Sequence, residues 1–213
     1  MIASNRRVFL CRAAVAAIAL AASRAGAHGS GQEYDLLQPA QPIDTPGKVE
    51  VIEFFWYGCP HCYKFEPLLE AWVAKLPADV AFRRVPAIFN DRWSHDAAIF
   101  YTFEALRLSA RLHRPLFDAI HRDRLRTDDP GALSAWVKRN GADPATFESA
   151  MKSFGVQTSV RRSRQLSVSY KLEGVPTLAV HGRYTIETER GLEAMLKTAD
   201  KLIGIERKAL AKK

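Results

Sequence analysis

Cys59-Pro60-His61-Cys62 sets two thiols two residues apart. Such a spacing makes a redox pair, half of a metal site or a structural clip. Haem attachment requires a histidine directly after the second cysteine, and Tyr63 stands there. A structural zinc needs two more ligands. Cys11, the third cysteine, lies near the N-terminus, and His95, His113 and His121 lack the spacing of a zinc-binding histidine pair. A static disulfide over so short a loop constrains the unfolded chain little. A chain of this length buries roughly 70% of its unfolded surface without such help. These considerations favour redox exchange and leave no metal to assign; a thiolate copper carrier is the alternative from another class.

The tetrapeptide follows the apolar run Val49–Tyr57 and opens a helical pattern. With Cys59 as the cap, its sulfur faces the free N–H groups of the first turn, which favour an anion. Pro60 then takes the first helical position, where a missing N–H costs nothing. Cys62 lies one turn inside. Cys59 is therefore expected to be the attacking or attacked thiolate, and Cys62 the resolving thiol. His61 can donate a hydrogen bond to the Cys59 sulfur and attract it further when protonated. Each pKa unit by which the thiolate is favoured is about 1.4 kcal/mol, or roughly 30 mV for a two-electron couple, in the direction of a more oxidising disulfide.

Arg6 and Arg7, the apolar stretch Val8 to Ala22 and the small-residue triplet Ala25-Gly26-Ala27 read as an export signal covering residues 1–27. The arginine pair suits either an ordinary secretory leader or a twin-arginine one. Cleavage after Ala27 removes Cys11 and four arginines, lowering the formal charge from +8 to +4. That excess is too small to argue for nucleic acid. Arg161-Arg162-Ser163-Arg164 reads as a solvated helix face. No second long apolar run suggests a membrane span.

Val49–Tyr57 has the continuous apolar character of a strand covered on both faces. Phe65, Leu68, Leu69, Trp72, Val73 and Leu76 then recur at helical spacing, with Pro67 expected to kink that helix. Val80–Val85 predicts a second strand. Ile88 to Phe154 reads as consecutive helices, two of them begun by Asp129-Pro130 and Asp143-Pro144, with Phe147, Met151 and Phe154 on one core face. A helix over Val156–Leu172, strands at Thr177–Val180 and Tyr184–Ile186 turning at Gly182, and a final amphipathic helix complete the chain. The outer parts predict one α/β unit, and the middle an all-α insertion.

Glu53-Phe-Phe-Trp-Tyr-Gly-Cys-Pro-His-Cys-Tyr-Lys-Phe-Glu66, Gly174-Val-Pro-Thr177 and the placed helical insertion resemble the DsbA family. These are periplasmic thiol:disulfide oxidoreductases with a thioredoxin fold. The resemblance implies a first thioredoxin-like part at 28–87, an insertion at 88–155 and a second part at 156–213. It implies a Cys59–Cys62 disulfide donated to newly exported proteins and restored by a quinone-linked membrane partner, DsbB. It further implies a cis peptide at Val175-Pro176, packed beside the sulfurs and offering the Val175 backbone to client main chain, which reads many sequences alike. Glu53 matches an acid beneath the family's active site, and burial would raise its pKa. Arg83 or Arg84 is its expected partner. Glu50 is expected to face solvent, and Glu66 either tunes local charge or lies on the surface. No cofactor is implied, and a periplasmic monomer is expected. An isomerase or reductase of the same fold is the alternative in kind; family isomerases carry a dimerisation domain for which His28 to Gly47 is too short.

Overall fold

The computed structural model describes residues 33–212, so the leader reading and Cys11 lie outside the described residues. Strands β1 (Asp35–Leu36) and β2 (Val49–Phe55) precede helix α1 (Pro60–Val73) and strand β3 (Val80–Pro86). Five helices follow: α2 (Asp91–Ala105), α3 (Ser109–His121), α4 (Pro130–Arg139), α5 (Pro144–Met151) and α6 (Phe154–Ser169). Strands β4 (Thr177–Val180) and β5 (Tyr184–Ile186) and helix α7 (Leu192–Leu210) complete the fold. The five strands form one sheet in the order β1-β5-β4-β2-β3, with β2 parallel to β3 and antiparallel to β4. Among the described residues no helix is long and apolar enough to cross a membrane.

All seven residues of β2 are buried, as its apolar character predicts. Val49 and Val51 pack with Phe65 and Leu69 of α1 and with Met195, Ala199 and Leu202 of α7. Ile52 and Phe54 point the other way, against Tyr170 at the end of α6. The helical block has its own core from α2 to α5, including Phe103, Phe117 and Trp136. Phe55, Tyr57, Cys59 and Cys62 belong to that same cluster. The tetrapeptide therefore sits where the sheet meets the helical block.

Local chemistry sets the boundaries. Asp129 and Asp143 cap α4 and α5, accepting from the N–H groups of Ala132 (3.0 Å) and Thr146 (2.8 Å), with proline at the first position of each helix. Helix α1 continues through Pro67. Gly182 turns β4 into β5 at φ +67°, where a Cβ would meet the Gln41 carbonyl oxygen at 2.1 Å. The turn accepts the Gln41 N–H at 2.8 Å, holding the segment after β1 against it.

Two expectations are corrected. Phe154 is 82% exposed, because α5 ends at Met151 and Ser153 caps a new helix there, leaving Phe154 at its outer first position. Glu50 is 1% exposed rather than solvent-facing. Strand β2 is interior to the sheet and covered on both sides, so its acids on either face are buried, and Glu50 is held by Arg83 at 3.3 Å.

Leu69→Ala, which empties the contact between α1 and the sheet, should lower stability by about 2–5 kcal/mol. Urea unfolding midpoints of wild type and variant measure it; an unchanged midpoint would show that α1 does not anchor on Leu69.

Candidate active site

Cys59 caps α1 with extended backbone (φ −83°, ψ 119°), and Pro60 opens the helix. The Cys59 sulfur accepts the Cys62 N–H at 3.4 Å. Its own S–H donates to the Val175 carbonyl oxygen, also at 3.4 Å. The Val175-Pro176 peptide is cis, as the resemblance implied, and this 3.4 Å contact sets the loop beside the Cys59 sulfur. A second cis peptide, Gln38-Pro39, has no local sequence signal. Both cysteines are free thiols, and Cys59 keeps a small exposed area while Cys62 keeps none.

The two thiols titrate apart. Cys59 is lowered to about 6. The largest cause is the hydrogen bond from the Cys62 thiol; the N–H groups of Cys62 and His61 add to it against burial, and the His61 charge contributes last. Cys62 is pushed well above the ordinary thiol value by burial and by Cys59. His61 is exposed, and its backbone N–H does more for the thiolate than its ring. The ring's charge still acts in the expected direction, favouring the Cys59 thiolate.

Alternation along β2 puts Glu53 on the same face as α1, with Arg84 as its register partner on β3. Arg83 points to the opposite face and takes Glu50. Glu53 is fully buried, with Oε2 3.1 Å from Arg84 Nε but neither oxygen in hydrogen-bond geometry. Arg84 instead donates through Nη2 to Oε1 of Glu66, which is also fully buried. His113 Nε2 approaches the same Glu66 oxygen at 3.4 Å, while its Nδ1 lies 2.8 Å from the Tyr57 hydroxyl.

One guanidinium cannot neutralise two buried carboxylates, so their titrations divide. Burial, then repulsion by Glu66, raises Glu53 to about 8 against the pull of Arg84. Burial opposes ionisation of Glu66 too, but His113 and Arg84 prevail and hold it below the usual carboxylate range. Burial lowers His113, so at neutral pH its ring is uncharged. An ionised Glu66 then calls for the tautomer with Nε2–H towards it and Nδ1 accepting from Tyr57. Glu53, protonated at neutral pH, lies close enough to the cysteines for its charge to raise Cys62.

The structure thus gathers Cys59, Pro60, Cys62, Val175 and Pro176 at one end of the sheet, with Glu53 beneath them. His113, which lacks zinc-ligand spacing in the sequence, joins the site through Glu66 and Tyr57. Its spacing with Leu116 and Phe117 marks a histidine on the buried face of α3, a signal that a polar partner waits inside.

A family model for the DSBA-like thioredoxin domain matches residues 79–202. The thiol:disulfide interchange protein DsbA of Azotobacter vinelandii is 41% identical over 181 residues, covering 84% of this chain and 85% of that protein. Its namesake in Pseudomonas aeruginosa is 38% identical, covering 90% and 92%. The crystal structure of Pseudomonas aeruginosa DsbA superposes with a TM-score of 0.81 at 40% identity, over 86% of this chain and 96% of that one. The structure of the oxidoreductase DsbA from Xylella fastidiosa gives 0.78 at 30% identity, over 83% and 96%.

Two titrations test this geometry. Cys62→Ala should raise the Cys59 midpoint from about 6 by more than His61→Ala does, because it removes the largest stabilising contact. Thiolate absorbance against pH reads both; a larger effect of His61→Ala would reverse the ordering. Glu53 has its folded pKa raised from 4.5 to about 8, so its contribution to stability is whole below 4.5 and is lost as pH rises through about 8. Glu53→Gln should therefore gain stability relative to wild type across that window. Parallel profiles of urea midpoint against pH would contradict the burial of Glu53's proton.

Proposed function

The chain belongs to the DsbA family of thiol:disulfide interchange proteins, and from that premise we propose that it is a dithiol oxidase donating a Cys59–Cys62 disulfide to exported proteins. The observation that carries the reading is the division of the pair. Cys59 has its thiolate stabilised to about 6, and the buried Cys62 is displaced upward. A stabilised thiolate favours the reduced protein, which makes the disulfide a good oxidant.

In the oxidised protein a client thiolate attacks the Cys59 sulfur, the more accessible of the two. The Cys59–Cys62 bond breaks, and a client–Cys59 disulfide forms. Cys62 departs as a thiolate in a setting that disfavours its charge. Glu53, protonated at neutral pH, is the group suited to give it a proton. A second client thiolate then attacks the client sulfur of the mixed disulfide, and Cys59 leaves as its stabilised thiolate. The client loses two electrons and gains a disulfide; the protein ends as the dithiol, and Glu53 recovers its proton from solvent. Burial and the negative charge of Glu66 keep Glu53 neutral against the pull of Arg84. The Val175 backbone, at the cis Val175-Pro176 step beside Cys59, is the natural place for client main chain to pair.

The same reading assigns residues 1–27 to a removable export signal and the rest to two thioredoxin-like parts, 28–87 and 156–213, around the insertion at 88–155. It places the protein in the periplasm as a monomer, reoxidised there by a DsbB-like, quinone-linked membrane partner.

The disulfide form should oxidise a reduced two-cysteine peptide stoichiometrically. Cys59→Ser should abolish exchange, whereas Cys62→Ser should accumulate mixed disulfides. Peptide thiols that persist after incubation with the disulfide form would sink the oxidase reading.

A further inference from the structure

Four residues turn the chain from β2 into α1. The Cys59 N–H donates to the Trp56 carbonyl at 3.0 Å, closing a β-turn with Tyr57 and Gly58 at its centre. A Cβ on Gly58 would lie 2.3 Å from the Trp56 ring, so this approach requires glycine. The choice of glycine leaves the turn a freedom. The peptide plane between the two central residues can take either of two orientations, which distinguish type I from type II turns. Type II needs positive φ at the second central residue, which glycine adopts readily. The described glycines at positive φ are Gly47, Gly141, Gly182 and Gly191, and Gly58 is not one of them. The turn thus rests in one of two orientations that its own residues leave open.

The carbonyl of that plane belongs to Tyr57, and His121 grips it. His121 is the last residue of α3, and its Nε2 lies 2.8 Å from the Tyr57 oxygen. A carbonyl only accepts, so Nε2 carries the hydrogen. The ring is fixed from the side as well. It stacks on Tyr63 at 4.8 Å and 10°, and on Phe117 at 6.1 Å and 24°. Tyr63 directly follows Cys62 in α1, and its hydroxyl donates to Oδ1 of Asp118 at 2.8 Å. Other holds on the turn act on its side chains: Asp96 accepts the Trp56 indole N–H at 2.8 Å, and His113 meets the Tyr57 hydroxyl. A side chain can stay in place while the peptide plane beside it rotates. A hydrogen bond to the carbonyl is lost when that oxygen turns to the opposite side.

We propose that His121 is a positioning residue for Cys59, its hydrogen bond to the Tyr57 carbonyl selecting the turn orientation from which Cys59 caps α1. The proposal deepens the exchange at Cys59 set out above and rests on it. The Cys59 sulfur meets the Cys62 N–H and the Val175 carbonyl, each at 3.4 Å. A turn free to take both orientations spreads that sulfur over more than one position and weakens both contacts on average. A reacting group keeps its geometry only when the residues behind it have one conformation themselves. His121 supplies that support from outside the thioredoxin-like part, since α3 belongs to the helical block. The two α3 histidines then have separate tasks at one tyrosine: His113 at its hydroxyl is linked to the buried acids, and His121 at its carbonyl is linked to the cap.

Two variants of the full protein separate the hydrogen bond from the stacking. His121→Phe keeps a ring to lie on Tyr63 and lacks the donor; His121→Gln keeps a donor of similar reach and lacks the ring. In His121→Phe the Cys59 titration midpoint, read by thiolate absorbance, should rise from about 6 by about half a unit. Its equilibrium with glutathione should move about threefold towards the protein disulfide. His121→Gln should recover most of both shifts. Urea midpoints follow the packing of each variant. A lowered urea midpoint in His121→Phe with the Cys59 midpoint and glutathione equilibrium unmoved would make His121 a packing residue only and overturn the proposal. So would a larger shift in His121→Gln than in His121→Phe. Neither result bears on the oxidase reading, which oxidation of the two-cysteine peptide by the wild type decides separately.

Discussion

Arg84 is a single cation set between two fully buried acids, and the chemistry of the site follows from how it is shared. Removing charges from water is costly unless each is paired and hydrogen-bonded. Arg84 gives its hydrogen bond to Glu66 and only proximity to Glu53. Glu66, also faced by His113, is ionised; Glu53 keeps a proton to about pH 8. A proton is thus stored at neutral pH beneath a pair of thiols, one of which disfavours its own negative charge. The arrangement requires the helical block, since His113 comes from α3 and the acids from β2 and α1. The helical block therefore reaches the chemistry through the core.

The tetrapeptide works by position on the helix more than by its histidine. A cap residue with a sulfur side chain faces the first-turn N–H groups, and the second thiol, one turn on, turns its own hydrogen towards the first. Both contacts come from the spacing of the cysteines. The His61 ring adds charge from an exposed position, where water weakens it.

Much of this was legible in the sequence, for particular reasons. Strand β2, the capped helix α1 and the Asp-Pro starts of α4 and α5 rest on short-range rules, and each formed where its residues required. The choice between Arg83 and Arg84 was open because one-residue steps along a strand change face, and only the register to β2 decides which arginine meets Glu53. The burial of Glu50 follows from a strand covered on both faces, which leaves neither face open to solvent. Phe154 was misplaced because helical periodicity runs through a break that only the Ser153 cap reveals. The Val175-Pro176 geometry was accessible through family resemblance alone, since nothing local distinguishes it from a trans step. His113, Tyr57 and Glu66 meet across three elements, and no single segment records that meeting.

The Gly182 turn has a consequence at the far side of the sheet. A protein that handles unfolded chains is surrounded by segments ready to add to any free strand edge. Here β1 covers the outer side of β5 with two residues, and the Gln41 backbone, seated where a Cβ on Gly182 would lie, holds that short strand in place. At the opposite margin β3 carries Arg83 and Arg84 and ends in Pro86, which has no N–H to offer a neighbour. Both borders of the sheet are thus poor templates for an incoming strand, and the fold can meet sticky polypeptides at one end without polymerising with them along its sides.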